Sequence, residues 1–185
     1  MKTKGIVTGI VSNLVTVEVD GPVSENEICY ITSEGVRMMA EVIKVNGKNA
    51  SVQVFESTRG LRNGNSVEFE GKMLEATLGP GLLSSVYDGL QNDLTTMENV
   101  FLQRGEYTDP LDRKKEWEFT PLAKPGDSVE AADWLGEVKE GWLPHKIMVP
   151  FSFNGTYTVK SVKEAGSYNV DTVIAVLTDA SGADV

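Results

Sequence analysis

The stretch VTVEVDGP, residues 15–22, decides the fold of the first part of the chain. Its three valines alternate with Thr16 and Glu18. Because successive side chains of a β-strand point to opposite faces, this strand has one apolar face and one polar face. Asp20-Gly21-Pro22 then ends it, since glycine and proline favour turns. The stretch therefore predicts a short strand that is half buried against a core.

The same alternation continues along the chain to about residue 72. One face of the next clear strand is apolar and carries Val36, Met38, Ala40 and Val42. Asn46-Gly47 then predicts a tight hairpin of type I′, in which both central residues have positive φ. About six short strands fit before residue 72. Because closing a sheet removes its exposed edges, we expect residues 1–72 to form a small β-barrel.

Residues 73–108 have a different pattern and are predicted to connect two modules. Apolar side chains recur at helical spacing after the Gly79-Pro80-Gly81 breaker, at Leu82, Leu83, Val86, Tyr87 and Leu90. This spacing predicts one short helix between residues 78 and 94. A loop with a few buried anchors is the alternative, because Gly89 would interrupt the helix.

Residues 109–185 return to alternation and are predicted to form a second β-rich module. It contains three tryptophans, at positions 117, 134 and 142, and several Pro and Gly residues. The order of its short strands resembles the barrel-sandwich modules of lipoyl and biotinyl carrier domains. An apolar strand within residues 170–177 is expected to close the module.

Composition limits the classes of function. The formal net charge is −10, whereas a nucleic-acid surface needs clustered Lys and Arg, so we expect no nucleic-acid partner. Cys29 is the only cysteine, which excludes an internal disulfide and a zinc site built from cysteines. No apolar run approaches the ~20 residues that span a bilayer. Any membrane association is therefore expected to come through partners.

The motifs of common catalytic sites are absent. The chain contains no G-x-x-x-x-G-K-[ST] phosphate-binding loop, no G-x-S-x-G and no H-E-x-x-H. Gly79-Pro80-Gly81 is the nearest glycine-rich loop, but no Lys-Ser/Thr pair follows it and Pro80 lacks an N–H donor, so we interpret it as a structural turn. His145 is the only histidine. We therefore predict no catalytic, cofactor-binding or metal-binding residue in this segment.

Two short motifs allow a sharper hypothesis. His145-Lys146-Ile147-Met148 places a lysine near a methionine, as in a biotinyl carrier, although Lys146 begins an apolar strand instead of standing at a turn. Residues 109–118 mix both charge signs around Trp117. They form either a solvated loop or an interface patch with Trp117 as its aromatic anchor.

Taken in order, the motifs resemble the catalytic A subunit of V/A-type rotary ATPases over nearly the whole chain. The most specific stretch is LGPGLLSSVYDGLQ, residues 78–91, which is similar to the family's connector after the barrel. The other matching pieces are Gly5-Ile6-Val7, Gly21-Pro22-Val23, Glu41-Val42-Ile43, QVFESTRGL at residues 53–61, Arg104-Gly105, Leu111-Asp112-Arg113, WEFTP at residues 117–121 and HKIMVP at residues 145–150.

The resemblance implies a role in assembly. The N-terminal barrel would join neighbouring A and B subunits in a hexameric head, and the second module would be the outward bulge that contacts the peripheral stalk. The family's ATP- and Mg-binding residues lie beyond the bulge, so this chain is expected to be an N-terminal fragment without ATP chemistry of its own. The head of a proton- or sodium-translocating pump would place it on the cytoplasmic side of the membrane, attached only indirectly.

Two other classes of function stay open at this point. Residues 109–177 could be a biotinyl- or lipoyl-like carrier module, with Lys146 modified. The chain could also be a stand-alone β-barrel binding protein, but the bulge motifs would then have no reason to follow the connector.

Overall fold

The computed structural model describes residues 2–96 and 104–185, which divide into two compact units. Each unit is formed by two pieces of the chain. The first contains residues 2–76 and 104–108, and the second contains residues 77–96 and 109–185. Of the segment predicted to connect two modules, residues 77–96 therefore belong to the second unit and residues 104–108 to the first.

The first unit is a closed barrel of six antiparallel strands, as predicted. The strands are β1 (Lys4–Val11), β2 (Leu14–Val19), β3 (Glu27–Ser33), β4 (Val36–Asn46), β5 (Asn49–Val54) and β6 (Ser66–Met73). Their order around the barrel is β1-β2-β5-β4-β3-β6, and pairing of β1 with β6 closes it. Closure leaves no unpaired sheet edge in the barrel wall.

The barrel core consists of the apolar faces that alternation predicts. Val15 pairs with Val52 and Val17 pairs with Ala50, and all four side chains are buried. Met38 and Ala40 of β4 join the same cluster. The buried face of β2 predicted from residues 15–22 is confirmed.

The hairpin between β4 and β5 is confirmed, but its turn lies one residue later than the predicted one. Asn46 pairs with Asn49, so Gly47 and Lys48 are the central residues. Gly47 has φ +60°, whereas Lys48 is not among the residues with positive φ. Positive φ at the first central residue alone does not match type I′, which requires it at both. Gly47 therefore has positive φ as the first central residue of the turn, whereas the prediction made it the second.

The short helix predicted between residues 78 and 94 is wrong. None of the residues that the structure describes are helical. Residues 86–94 instead turn back on themselves, with Leu94 N–H bound to Val86 O at 2.9 Å and Asp88 N–H bound to Asn92 O at 3.2 Å. Ser84 and Gln91 have φ of +68° and +63°, which a right-handed helix cannot contain. The apolar residues of this loop recur at helical spacing by chance, so their spacing did not identify a helix.

The second unit is built on two antiparallel sheets. Its strands are β7 (Trp117–Pro121), β8 (Ser128–Val129), β9 (Trp134–Glu140), β10 (Leu143–Met148), β11 (Tyr157–Val162), β12 (Gly166–Tyr168) and β13 (Ala175–Thr178). One sheet has the order β10-β9-β7-β12 and the other the order β13-β11-β8. The apolar strand expected within residues 170–177 corresponds to β13, which begins later than the apolar run.

Two buried clusters stabilise this unit. One contains Trp117, Phe119 and Val138 from the four-stranded sheet. The other contains Val159 and Leu177 from the three-stranded sheet, with apolar residues from the connecting segments. Gly136 allows β7 and β9 to approach, because a Cβ atom there would lie 2.2 Å from the Phe119 ring.

We expect Gly5→Ala to destabilise the barrel and Gly9→Ala to leave it nearly unchanged. A Cβ atom at Gly5 would lie 2.5 Å from Val17 Cγ1 and 2.8 Å from the Glu18 carbonyl oxygen, whereas at Gly9 the nearest atoms lie 3.6 Å away on Thr16. Overpacking of this kind costs about 1–3 kcal/mol. Urea unfolding of the two variants measures the difference. Equal free energies of unfolding would contradict the close approach of β1 and β2.

Candidate functional site

A buried carboxylate holds the Gly79-Pro80-Gly81 turn in place within the second unit. Glu140, at the end of β9, accepts the N–H of Gly81 at 2.6 Å and the N–H of Leu83 at 3.1 Å through Oε1. Its Oε2 lies 2.9 Å from His145 Nδ1 on β10. The N–H of Gly81 in this turn and that of Leu83 just after it are thus hydrogen-bonded within the chain. This supports the interpretation of residues 79–81 as a structural turn.

The pKa of Glu140 is lowered by these contacts. Burial disfavours the charged carboxylate, but the N–H groups of Gly81 and Leu83, followed by His145, outweigh it and hold the pKa below its ordinary value of 4.5. The charged form is therefore the one that holds the turn at neutral pH.

Other side chains fix the rest of the loop formed by residues 77–96. Gln91 binds the backbone of Thr77 twice, accepting its N–H and donating to its carbonyl oxygen, each at 2.7 Å. Asp88 accepts the N–H groups of Leu90 and Asn92 at 2.9 and 2.8 Å. Tyr87 donates its hydroxyl hydrogen to the carbonyl oxygen of Pro110 at 3.0 Å. Side-chain hydrogen bonds, and not helical backbone hydrogen bonds, thus hold this loop in its conformation.

The interface patch proposed for residues 109–118 does not have Trp117 as its anchor. Trp117 is only 7% exposed and belongs to the core of the second unit. Its Nε1–H is buried without a hydrogen-bond partner among the described residues. Arg113 pairs with Asp109 and Asp171 of the same chain. The hypothesis of an exposed Trp117 is wrong because Trp117 is an inward-facing residue of β7.

Lys146 does not stand at a turn. It lies in the middle of β10, pairs with Glu137 of β9, and its Nζ lies 4.7 Å from the centre of the Trp134 ring. The turn between β9 and β10 consists of Gly141 and Trp142. A carrier lysine must extend freely from an exposed turn, so the geometry does not support modification of Lys146.

The β9–β10 turn exposes a tryptophan that sequence reasoning did not select as a contact residue. Trp142 is 88% exposed, and Phe151 and Trp134 also present large apolar surface to solvent. Exposed aromatic residues are enriched where proteins bind partners. The Gly141-Trp142 pair between two alternating segments could have revealed this turn from the sequence.

In the first unit, residues 104–108 are bound to the barrel wall. Glu56 accepts the N–H of Gly105 at 2.7 Å and the hydroxyl hydrogen of Tyr107. The Tyr107 oxygen in turn accepts the N–H of Met39 at 2.7 Å. Burial and the neighbouring Glu56 carboxylate raise the pKa of Tyr107, so it stays a neutral donor. The sequence analysis picked out Arg104-Gly105 as a family motif, but it did not predict the contacts of this segment with Glu56 and Met39.

The outer surface of the barrel also has exposed aliphatic side chains. Val11 and Leu14 pair across β1 and β2, and both face solvent. Ile6 lies on the outside of β1, opposite Glu18. Such residues are candidates for contact with another protein surface.

The described residues, 2–96 and 104–185, contain neither a metal-binding cluster nor a membrane-spanning helix. No group of three or more His, Cys, Asp or Glu side chains is arranged to hold a metal ion. No helix in these ranges is long and apolar enough to cross a bilayer.

Comparison with known families matches both units. Residues 7–71 match the beta-barrel domain of the ATP synthase alpha/beta family, and residues 108–185 match the ATP synthase alpha/beta subunit barrel-sandwich domain. The chain therefore belongs to the ATP synthase alpha/beta family.

Within that family, the chain is similar to V-type ATP synthase alpha chains. It is 47% identical over 184 residues to the one from Treponema denticola, covering 98% of this chain and 31% of the relative. It is 48% identical over 185 residues to the one from Borrelia garinii subsp. bavariensis, covering 98% of this chain and 32% of the relative. The chain thus spans about a third of the length of these relatives.

We expect Glu140→Ala to loosen the 79–83 turn and destabilise the second unit. The partly buried N–H groups of Gly81 and Leu83 would lose their acceptor, at a cost of about 1 kcal/mol. Glu140→Gln keeps one acceptor oxygen and should lose less. Glu164→Ala, on an exposed side chain, is the control. Unfolding followed by tryptophan fluorescence measures all three.

The same contact has a defined pH dependence. Because the pKa of Glu140 is lowered in the folded state, its contribution is present above 4.5 and is lost as pH falls through the folded value. Glu140→Ala should therefore lose less stability on acidification than the unmodified chain. An identical pH profile for both would rule out the carboxylate as the holding group.

Proposed function

We propose that this chain is the N-terminal assembly segment of the A, or alpha, subunit of a V-type rotary ATP synthase that couples ATP to proton or sodium transport. The observation that carries the proposal is 46–48% identity to V-type ATP synthase alpha chains across 98% of the chain. ATP hydrolysis or synthesis, with Mg, belongs to the part of the longer protein that follows Val185.

The barrel is proposed to join neighbouring A and B subunits into the hexameric head. A closed barrel suits this role because it cannot extend its sheet by pairing with a partner strand. Contacts must then be made by outward side chains, and Val11, Leu14 and Ile6 supply apolar ones. A ring of barrels held in this way would resist separation while the rest of the head changes conformation.

The second unit is proposed to contact the peripheral stalk as an outward bulge. Support comes from the exposed Trp142 at the β9–β10 turn and from the cross-strand pair of Glu137 and Lys146, which stiffens the hairpin below it. A rigid hairpin with an aromatic tip loses little conformational entropy on binding. In this arrangement the chain lies in the head, on the cytoplasmic side of the membrane.

Two substitutions should separate the two assembly roles in the longer protein. Val11→Asp places a charge in the proposed barrel contact and should reduce recovery of the A–B head by about tenfold or more, as for loss of an interface hot spot. Trp142→Asp should leave the head intact and weaken stalk binding instead. Native mass spectrometry of the co-expressed subunits measures both. Normal heads with Val11→Asp would count against the barrel role.

The chain by itself should not bind Mg-ATP. The N–H of Gly81, in the glycine-rich turn at residues 79–81, and that of Leu83 just after it already bind the Glu140 carboxylate, and no Lys-Ser/Thr pair follows the turn. Isothermal titration of the 185-residue chain with Mg-ATP should therefore give no binding heat. Micromolar affinity would overturn the view that nucleotide chemistry lies beyond Val185.

A further inference from the structure

Three asparagines of the chain are followed directly by glycine, at Asn46-Gly47, Asn63-Gly64 and Asn154-Gly155. In such a pair the backbone nitrogen of the glycine can attack the side-chain amide carbon, Cγ, of the asparagine. Glycine favours this reaction because no Cβ atom hinders the approach of its nitrogen. The asparagine backbone must first rotate to bring the two atoms together, so the surroundings of each pair decide whether the attack is possible.

The two pairs in the first unit are held by backbone contacts. The N–H of Gly64, which would be the attacking nitrogen, donates to Val7 O at 2.8 Å. Asn46 is the last residue of β4 and pairs with Asn49 of β5, and rotation of its backbone would disrupt this pairing. Both pairs must therefore open locally before they can react, which lowers the rate.

The third pair is not held in this way. Asn154 and Gly155 lie between β10 and β11 of the second unit, and both are exposed. The N–H of Gly155 donates to none of the residues that the structure describes. The Asn154 side chain donates from Nδ2 to Ser152 O at 3.3 Å. The backbone of Asn154 can therefore rotate without loss of a backbone hydrogen bond at the attacking nitrogen.

The residues on either side of this pair are anchored. Phe153 and Tyr157 pack against the cluster that contains Val159, and their ring centres lie 5.1 Å apart. Thr156 donates its hydroxyl hydrogen to Glu130 Oε1 at 3.1 Å. A change in the covalent structure of the exposed pair can thus be accommodated without loss of these contacts.

We propose that Asn154 is a site of spontaneous deamidation in the folded chain. The Gly155 nitrogen forms a bond to Asn154 Cγ, the bond from Cγ to Nδ2 breaks, and ammonia leaves with the proton that Gly155 loses. The product is a succinimide ring. Water then opens the ring at either of its two carbonyl carbons, which gives an aspartate or an isoaspartate at this position. The reaction needs no oxidant, enzyme or cofactor, and it is independent of the proposed function.

The product differs from the original chain on the surface of the second unit. A carboxylate replaces a neutral amide close in sequence to Phe151, whose side chain is 78% exposed. An isoaspartate also adds one carbon atom to the backbone of the loop. The chain, which already has a formal net charge of −10, therefore becomes more acidic next to an exposed apolar side chain as it ages.

Incubation of the folded 185-residue chain at neutral pH, followed by peptide mass mapping, tests the proposal. Deamidation is read as the mass gained when an amide becomes a carboxyl group, in peptides that each contain one of the three pairs. Asn154 should react at least about fivefold faster than Asn46 or Asn63, because the latter two must first break a backbone hydrogen bond. Asn154→Gln is the control, and it should abolish the mass gain in its peptide because glutamine forms the corresponding larger ring far more slowly.

The same incubation in urea shows whether the fold causes the difference. Once the backbone hydrogen bonds of the first unit are lost, the rates at the three asparagines should agree within about threefold, since each is followed by glycine. An isoaspartate-specific carboxyl methyltransferase provides a second readout. In the folded chain it should label the peptide that contains Asn154 ahead of the other two.

Two results would overturn the proposal. Equal rates at the three asparagines in the folded chain mean that the surroundings of Asn154 do not set it apart. A lead of Asn154 that stays the same in urea means that its neighbours in sequence, and not the fold, determine the rate.

Discussion

A buried backbone N–H must find an acceptor, and this constraint shapes both units of the chain. In the barrel, the backbone N–H groups of each strand find carbonyl acceptors on the neighbouring strands. The pairing of β1 with β6 supplies the last of these hydrogen bonds. In the loop of residues 77–96 no strand is available. Carboxylate and amide side chains take its place, with Glu140, Asp88 and Gln91 as acceptors for the turn. The loop is therefore ordered although it has no regular secondary structure.

Because their backbone hydrogen bonds are made within the chain, both units can expose apolar side chains on rigid strands and turns. Val11 and Leu14 are held by the barrel wall, and Trp142 is held by a hairpin. Apolar surface on a rigid frame costs little entropy when a partner covers it. This is the physical basis of the proposed assembly role. The Glu140 carboxylate binds the N–H of Gly81 in the glycine-rich turn and that of Leu83 after it, which supports the proposal that nucleotide chemistry lies outside these residues.

Several features of the site were beyond sequence reasoning for identifiable reasons. Trp117 and Trp142 both stand in alternating segments, but one faces the core and the other occupies a turn, and the choice depends on which sheet face is covered. The helix predicted for residues 78–94 failed because side-chain acceptors far along the chain, above all Glu140, stabilise a loop instead. The second unit also has an apolar cavity lined by residues from 78 to 174, and no local sequence pattern could show that these residues lie together.

The sequence by itself determined the six-stranded barrel, the β-rich second module and the family, because strand alternation, turn residues and ordered motifs are local properties of the chain. It also determined that no common nucleotide or metal motif is present. Only the tertiary structure decided which tryptophan is exposed and how the 77–96 loop is ordered. These features depend on contacts between residues that are distant in the chain, and such contacts are set by how strands pair and sheets pack.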